Sequence, residues 1–546
     1  MNMKKLIALL TLILFLSIQA DAMRYEWRDK DDSKQSATKA AACSPATELV
    51  LMQYNNVRAL IETGGSMWQD RSTSRAFYRI PAEGNVSVIY AGALWLGGYS
   101  PDQQLKLAAV TFRANGNDFW PGPLTIDGNA EIEPEVCEEY DRFFLTERQW
   151  SEQHRAWFDC QNDPLCNPLV EFPNGYVVPS EFYEYPAHGN TSLSQDYYLA
   201  PFYDYDGDGN YDPDSGDYPW YDLTGDVDCA NKSREDTIPL FGDQNYWWVF
   251  NDKGNIHTET NGESIGMEIR AQAFAFATND EINNMTFYNY VMINRGTTSL
   301  NDTYFGQWVD ADLGNPQDDF VGCDVTRGLG YCYNGDNFDE GTDASTGYGE
   351  NPPAVGVDFF EGPYQDYDGI DNPGPETTNN PLSAEEAFAG NGIPYKGLGI
   401  GYGDDNIDNE RFGMRKFLYY NNSGGQNGDP ETALEHYNYL IGIWRNGLPM
   451  TYGGDGFQTG NDPNQLADFM FGDDTDVVGF GTDGDIREPW SEVTAENNPG
   501  DRRFIQSAGP FSLAPGDYNN ITVGVVYGRA LSGNQFESVE VLKQAD

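Results

Sequence analysis

Alternating apolar and polar positions predict strands in three places along the chain, and helical periodicity is confined to short stretches. "VSVIYAGALWLGG" and "QLKLAAVTF", separated by the turn-rich "YSPDQ", predict a hairpin from Val86 to Phe112 with Leu105, Leu107 and Ala109 on one face. The strongest pattern runs from Ser264 to Gly314. Three runs rich in β-branched and aromatic residues are separated there by "NDEI" and "RGTTSLN", which predicts an antiparallel meander. Near the end, "FSLAPGDYNNITVGVVYGR" predicts a Pro-Gly turn and a strand from Asn520 to Tyr527, a pattern of β-sandwich edges. Short helices are expected at "LTERQWSEQHRAWF" and "PETALEHYNYLIGIW". The regions from Asn115 to Asp243 and roughly Asp318 to Asp485 are dense in Gly, Asp and Pro and read as long loops.

The first residues carry Lys4 and Lys5, an apolar run from Leu6 to Leu16, and Ala20-Asp21-Ala22, the pattern of a secretory signal peptide over residues 1–22. That apolar run is short for a membrane span and no later stretch is apolar for about 18 residues, so no membrane insertion is expected. The destination is extracellular or the outer cell surface. Residues 23–48 read as a flexible leader, and 49–260 as an N-terminal β-rich domain. A β-sandwich-like domain with long Gly/Asp-rich insertions follows over 261–530, and 531–546 reads as the start of a truncated helix.

Charge changes the picture most. The 546 residues include 86 acidic and 32 basic side chains, a formal charge of -54, which repels nucleic acid and anionic membranes and favours cations. Aromatic residues at 14% and 59 glycines separate the chain from a disordered acidic tail. The expected fold class is mainly β: antiparallel β-sandwich domains with long calcium-binding acidic loops and a few short helices. Seven cysteines allow at most three bridges. Cys160–Cys166 and Cys323–Cys332 are the favoured local pairs, with Cys43, Cys137 and Cys229 unassigned. A zinc site is poorly supported, since no C-x-x-C occurs and the histidines are His154, His188, His257 and His436.

"DYDGDGNYDPDSGDYP" supplies the candidate chemistry. Numbered as a calcium loop, Asp204, Asp206 and Asp208 hold positions 1, 3 and 5, Gly209 the sharp-turn position, Asn210 the main-chain position and Asp212 position 9. Position 12 is Ser215, so Asp214 or Asp217 must close the shell. Pro and Tyr flank the loop where an EF-hand needs helices, so no sensor-type opening is expected. Two carboxylates about 5 Å apart repel by roughly 1 kcal/mol in water and more when partly buried, and a divalent ion reverses that sign. Weaker copies of the theme occur at "DYDGIDN" (Asp366, Asp368, Asp371) and "GDDNIDNE" (Asp404, Asn406, Asp408, Glu410). "WVDADLGNPQDD" offers Asp310, Asp312, Asp318 and Asp319 at a strand end, where oxygens can converge on another ion.

Catalytic patterns are incomplete. "GESIG" resembles a nucleophile elbow, but a strand rather than a helix follows Ser264. "HTE" at His257 lacks the P-C-x-x-C that completes a deaminase zinc site, and "GLGIGYG" lacks a βαβ context. A glycosidase needs two spaced carboxylates, which so acidic a sequence cannot single out. Trp95, Trp120, Trp247 and Trp248 are candidates for stacking on sugar rings, with core packing as the simpler alternative.

The blocks "NNVRALIETGGSMWQD", "GALWLGG", "GNDFWPGPL", "YWWVFNDKGNIHTET", "DTYFGQWVDADLG", "GCDVTRGLGYCYNGD", "NPPAVGVDFFEGP" and "DRRFIQSAGPFSLAPG" together span roughly Asn55 to Ala530. They resemble large secreted proteins of the Bacteroidota exported by the type IX secretion system. The resemblance implies export and surface attachment through a C-terminal sorting domain, which is not expected within the residues up to Asp546, and it implies no assigned enzymatic activity. The expectation is a secreted or cell-surface, calcium-stabilised structural, adhesion or binding protein, with calcium ions and extracellular polysaccharide or other surface proteins as partners. The alternative is a secreted carbohydrate-active enzyme.

Overall fold

The computed structural model describes residues 43–546 apart from 114–115, 226, 228–235, 342–346, 373–374, 378–379, 382–398 and 458–461. The signal peptide, most of the leader and Cys229 lie outside the described residues. The strands of six or more residues are β1 (Ala91–Tyr99), β2 (Gln244–Asn251), β3 (Met267–Ala275), β4 (Thr286–Asn294), β5 (Leu300–Asp310) and β6 (Asp319–Asp324). They continue with β7 (Leu329–Asn334), β8 (Ala354–Glu361), β9 (Lys416–Asn421), β10 (Arg502–Leu513) and β11 (Tyr518–Gly528).

These strands form two antiparallel sheets. In the first, β9, β10, β5 and β1 lie side by side and lead into Ser66–Met67, Arg58–Glu62, Tyr78–Arg79 and Ser87–Ile89. In the second the order is β2, β3, β4, β11, β8, β7, β6, with Trp120–Pro121 and Phe144–Glu147 both pairing with β2. The expected hairpin is present, with Trp95 of β1 opposite Ala109. The expected meander is corrected: β3 and β4 pair, but β5 leaves them and pairs with β1 and β10 in the other sheet. "RGTTSLN" is therefore a crossover, and so is the Pro-Gly turn between β10 and β11. Because β2 pairs with β3 and β1 with β5, strands from either side of residue 260 share one sandwich and one core.

Aromatic residues fill the space between the sheets, and several of their polar atoms are paired across it, which avoids the cost of a desolvated donor, although the Tyr246 hydroxyl and Trp248 Nε1 are buried without a hydrogen-bond partner. Trp68 donates to the Tyr288 hydroxyl at 2.8 Å, and the Tyr78 hydroxyl meets Thr286 at 2.7 Å, each bond tying one sheet to the other. Helix α1 (Arg148–Asn162) lies in the loop-rich insertion before β2. Helix α2 (Ala433–Leu440) starts in a capping box of Thr432 and Glu435 and lies across the outer face of β1, β5 and β10. Gly306 of β5 makes that approach possible, since a Cβ there would stand 2.4 Å from Leu440 Cδ2. Helix α3 (Gln535–Ala545) buries Val539 and Leu542 against the second sheet.

Cys160–Cys166 forms as expected, and Cys43 pairs with Cys137. Cys323 and Cys332 remain free thiols. Register explains this correction: Cys323 faces Gly330 and Cys332 faces Val321, so the two are diagonal neighbours about 7–8 Å apart, beyond disulfide reach. The leader is also less free than its composition suggests. Besides the Cys43 bridge, the amides of Thr47 and Glu48 donate to the Asp141 carboxylate at 2.9 and 3.1 Å.

The two bridges close loops of very different length, 94 and 6 residues in sequence separation. Chain-entropy arguments give about 4–5 kcal/mol for the first and about 2 kcal/mol for the second. Thermal melts of Cys43→Ser/Cys137→Ser are expected to fall clearly further than those of Cys160→Ser/Cys166→Ser.

His436 sits fully buried on α2, its Nδ1 donating to the Thr432 carbonyl at 2.9 Å while Nε2 has no partner. Burial, aided by Arg113 and Arg445, pushes its pKa down from 6.5 to about 4. The unfolded chain therefore binds this proton first, so stability falls as pH drops from 6.5 towards 4, by up to about 1.4 kcal/mol per pH unit from this group. Urea unfolding across that range should give a shallower pH slope for His436→Asn than for the natural protein.

Candidate metal centre

The Asp204–Asp217 loop closes a two-stranded ribbon in which Phe202 faces Pro219 and Tyr203 faces Tyr218. Asp204, Asp206 and Asp208 come together, one oxygen of each lying within 4.8 Å of the others. Asp204 also organises the turn, accepting the amides of Gly207 at 2.7 Å and Gly209 at 2.8 Å. Gly209 has φ +80°, so the residue at the sharp-turn position adopts backbone that disfavours side chains. The side chains of the remaining expected residues make contacts of their own. Asn210 accepts the Tyr197 hydroxyl at 2.7 Å, and Asp212 caps the following turn by accepting the Asp214 amide at 3.0 Å. Asp217 is fully buried and lies outside the convergent group: it accepts the amides of Tyr205 and Asp212 at 2.8 and 2.7 Å and so staples the loop's two ends. Burial raises the Asp217 pKa, against the pull of those two amides.

The two weaker copies turn out to be one feature. Asp371 accepts the amides of Gly403 and Asp405, both at 2.8 Å, while Asp408 accepts those of Asp368 and Gly369 at 2.8 and 2.9 Å. Glu410 accepts the Asn372 amide, and Asp404 accepts the Asn406 amide at 2.9 Å and the Asn409 side chain. Two incomplete loops thus interlock through backbone N–H groups. Among the described residues, Asp404, Asp408 and Glu410 do not converge as a three-carboxylate cluster.

The second convergent cluster is Asp310, Asp312 and Asp501. Register builds it: β5 pairs with β10 so that Asp310 faces Arg503, which carries Asp501 two residues upstream to the same end. Asp310 is fully buried; its Oδ2 accepts Arg503 Nε at 3.1 Å, and its Oδ1 has no partner. Asp312 and Asp501 are half-buried, and each has a buried oxygen without a hydrogen bond. The Arg503 guanidinium, stacked on Phe112 at 4.5 Å, is shared further with Asp501 at 3.6 Å and Asp429 at 3.7 Å. Burial pushes Asp310 up to about 7 despite Arg503, and burial with Asp310 and Asp501 pushes Asp312 well up. Carboxylates about 5 Å apart at an effective dielectric constant near 20 repel by roughly 3 kcal/mol per pair, more than one shared guanidinium offsets. The donors are all oxygen, the set that suits a hard divalent cation such as calcium rather than zinc. Asp501, Asp429 and Arg503 were not legible as partners in the sequence. "GDRRF" carries the charges, but only strand register brings them to Asp310.

The other candidates resolve as structural. Trp95, Trp120, Trp247 and Trp248 are all buried, so they offer no face to a sugar. Ser264 leads into β3, its carbonyl accepting Lys106 Nζ at 2.8 Å. His257 is buried with its ring nitrogens 2.9 and 2.7 Å from the Leu107 and Asp252 carbonyl oxygens, a core position without room for a metal at either nitrogen. A groove of about 680 Å³ lies on the outer face of the second sheet, between Arg270, Gln272 and Tyr518 on one side and Tyr198, Phe202 and Asp204 on the other. Burial would raise Glu268 beneath it, but Arg270 and Arg295 hold that carboxyl below its usual range, each within 3.1 Å.

Removing the Asp217 staple leaves two amides unmatched, at about 1–3 kcal/mol each. Asp217→Ala is expected to open the loop to limited proteolysis between residues 204 and 217, with intact-mass analysis locating the cut.

Compared with known proteins, the chain matches no family model and no curated protein.

Proposed function

We propose that this chain is an exported, calcium-stabilised β-sandwich protein that acts by binding, as a surface or matrix component of the type IX kind its sequence resembles. The observation that carries this reading is the Asp310–Asp312–Asp501 cluster: desolvated carboxylates at the end of a central strand, with one shared guanidinium as counter-charge. A calcium ion there balances the charge and fastens β5 to β10. A second ion in the Asp204–Asp206–Asp208 turn fixes the rim of the adjoining groove.

Several features support the setting. Two disulfides suit an oxidising compartment, and no described helix is long and apolar enough to cross a membrane. The groove presents the exposed Tyr198 ring, an apolar face suited to stacking on an extracellular polysaccharide.

At free calcium about 100-fold above Kd, linkage adds about 2.7 kcal/mol to the folded state. Melting the purified protein with calcium and with EDTA at constant ionic strength is expected to show a drop of several degrees on chelation, and Asp501→Asn should shrink that drop. Equal midpoints in calcium and EDTA would remove the basis of the reading. Incubation with polysaccharides is expected to give retention without release of reducing ends.

A further inference from the structure

Next to the Asp310 centre, a second group of buried oxygens lacks partners. Asp319 opens β6 and Asn334 closes β7, and the two are direct cross-strand partners, which puts their side chains on one face with Cβ atoms about 5 Å apart. Asp319 is fully buried. Its Oδ2 accepts the Leu313 amide at 2.8 Å, and its Oδ1 has no partner. Asn334 is 1% exposed; its Nδ2 donates to the Asp336 carbonyl at 3.0 Å, which fixes the amide and leaves Oδ1 without a partner. The preceding Asp318 has both carboxylate oxygens buried with no hydrogen bond of proper geometry, although the Asn315 side chain lies alongside.

The surroundings hold this arrangement rigid without neutralising it. The Gly335 amide donates to the Asp318 carbonyl, joining the turn before β6 to the turn after β7. Asp339 pins the same region by accepting the amides of Asn315 at 3.1 Å and Tyr348 at 2.6 Å. Arg502, a cation that senses the Asp319 charge, is already engaged by Glu492 at 2.9 Å. Asp312 stands between the two groups: it belongs to the Asp310–Asp501 cluster, and its charge also acts on Asp319.

We propose that Asp318, Asp319 and Asn334 hold a second buried divalent cation, calcium by the chemistry of its ligands, with Asp312 lying between it and the ion at Asp310. These residues carry four unmatched oxygens, two of them from Asp318, and the proposed ion would take them as a partial shell that water completes to the six to eight ligands calcium takes. An amide oxygen among the ligands marks the group as more than repelling acids, because the buried Asn334 Oδ1 has no donor opposite it and a cation would supply its missing partner. The site extends the calcium reading above, and its ligands are independent of Asp501.

Crystals of the natural protein grown in millimolar calcium and measured at long wavelength test it directly. The expected result is an anomalous peak between Asp318, Asp319 and Asn334, separate from a peak at Asp310, Asp312 and Asp501. Calcium bound per chain after dialysis supplies the second measurement. Asp318→Asn and Asp501→Asn should each lose one equivalent, and the double variant two, with circular dichroism checking that each is folded. No peak at Asp318 and an unchanged calcium count in Asp318→Asn overturn the second site, even where Asp501→Asn loses its ion. Loss in Asp318→Asn with none in Asp501→Asn supports the second site and instead overturns the Asp310 centre.

Discussion

A carboxylate taken out of water must find positive charge or N–H donors, and this chain carries far more carboxylates than side-chain cations to meet them. Much of the architecture follows from how that shortage is handled. Where backbone amides are within reach, they serve. Buried Asp252 accepts the amides of Ile265, Gly266 and Met267 at 2.5, 2.9 and 2.6 Å, and Asp217 and Asp371 play the same part in their loops. Where an arginine is available it is shared, as Arg270 and Arg295 are between Asp196 and Glu268. At the end of β5 neither solution suffices, and there the case for a metal ion is strongest.

That place is set by the sandwich. Strand β5 is central in the first sheet, flanked by β1 and β10 and reached by a crossover from the second sheet. Its last residue, Asp310, lies where the strand leaves the core, and the chain then runs through Asp312, Asp318 and Asp319 into the edge strand β6 of the other sheet. The acidic stretch is thus one of the crossovers between the two layers. A cation bound there would reinforce strand pairs, β5 with β10 and β6 with β7, that backbone ladders already join. The outer groove is walled on one side by the second sheet, through Arg270, Gln272 and Tyr518, and on the other by an insertion stapled by Asp217.

The sequence by itself determined the strand content, the hairpin at Trp95, the short helices around His154 and His436, the bridge within Cys160–Cys166 and the turn at Asp204–Asp208. Each depends on residues close together in the chain, where alternation, capping and ligand spacing act directly. It left out which sheet a strand joins: "TSLNDTYFGQWVD" reads the same whether it extends a meander or crosses over, because alternation specifies faces and not neighbours. Register decided the rest. It placed Cys323 and Cys332 out of reach of each other, turned two apparent calcium loops into one interlocked pair, and carried Asp501 and Arg503 to Asp310 across nearly two hundred residues. The meeting of Asp310 with Asp501 and Arg503 is long-range, and only the packed sheets bring such residues within a few ångströms.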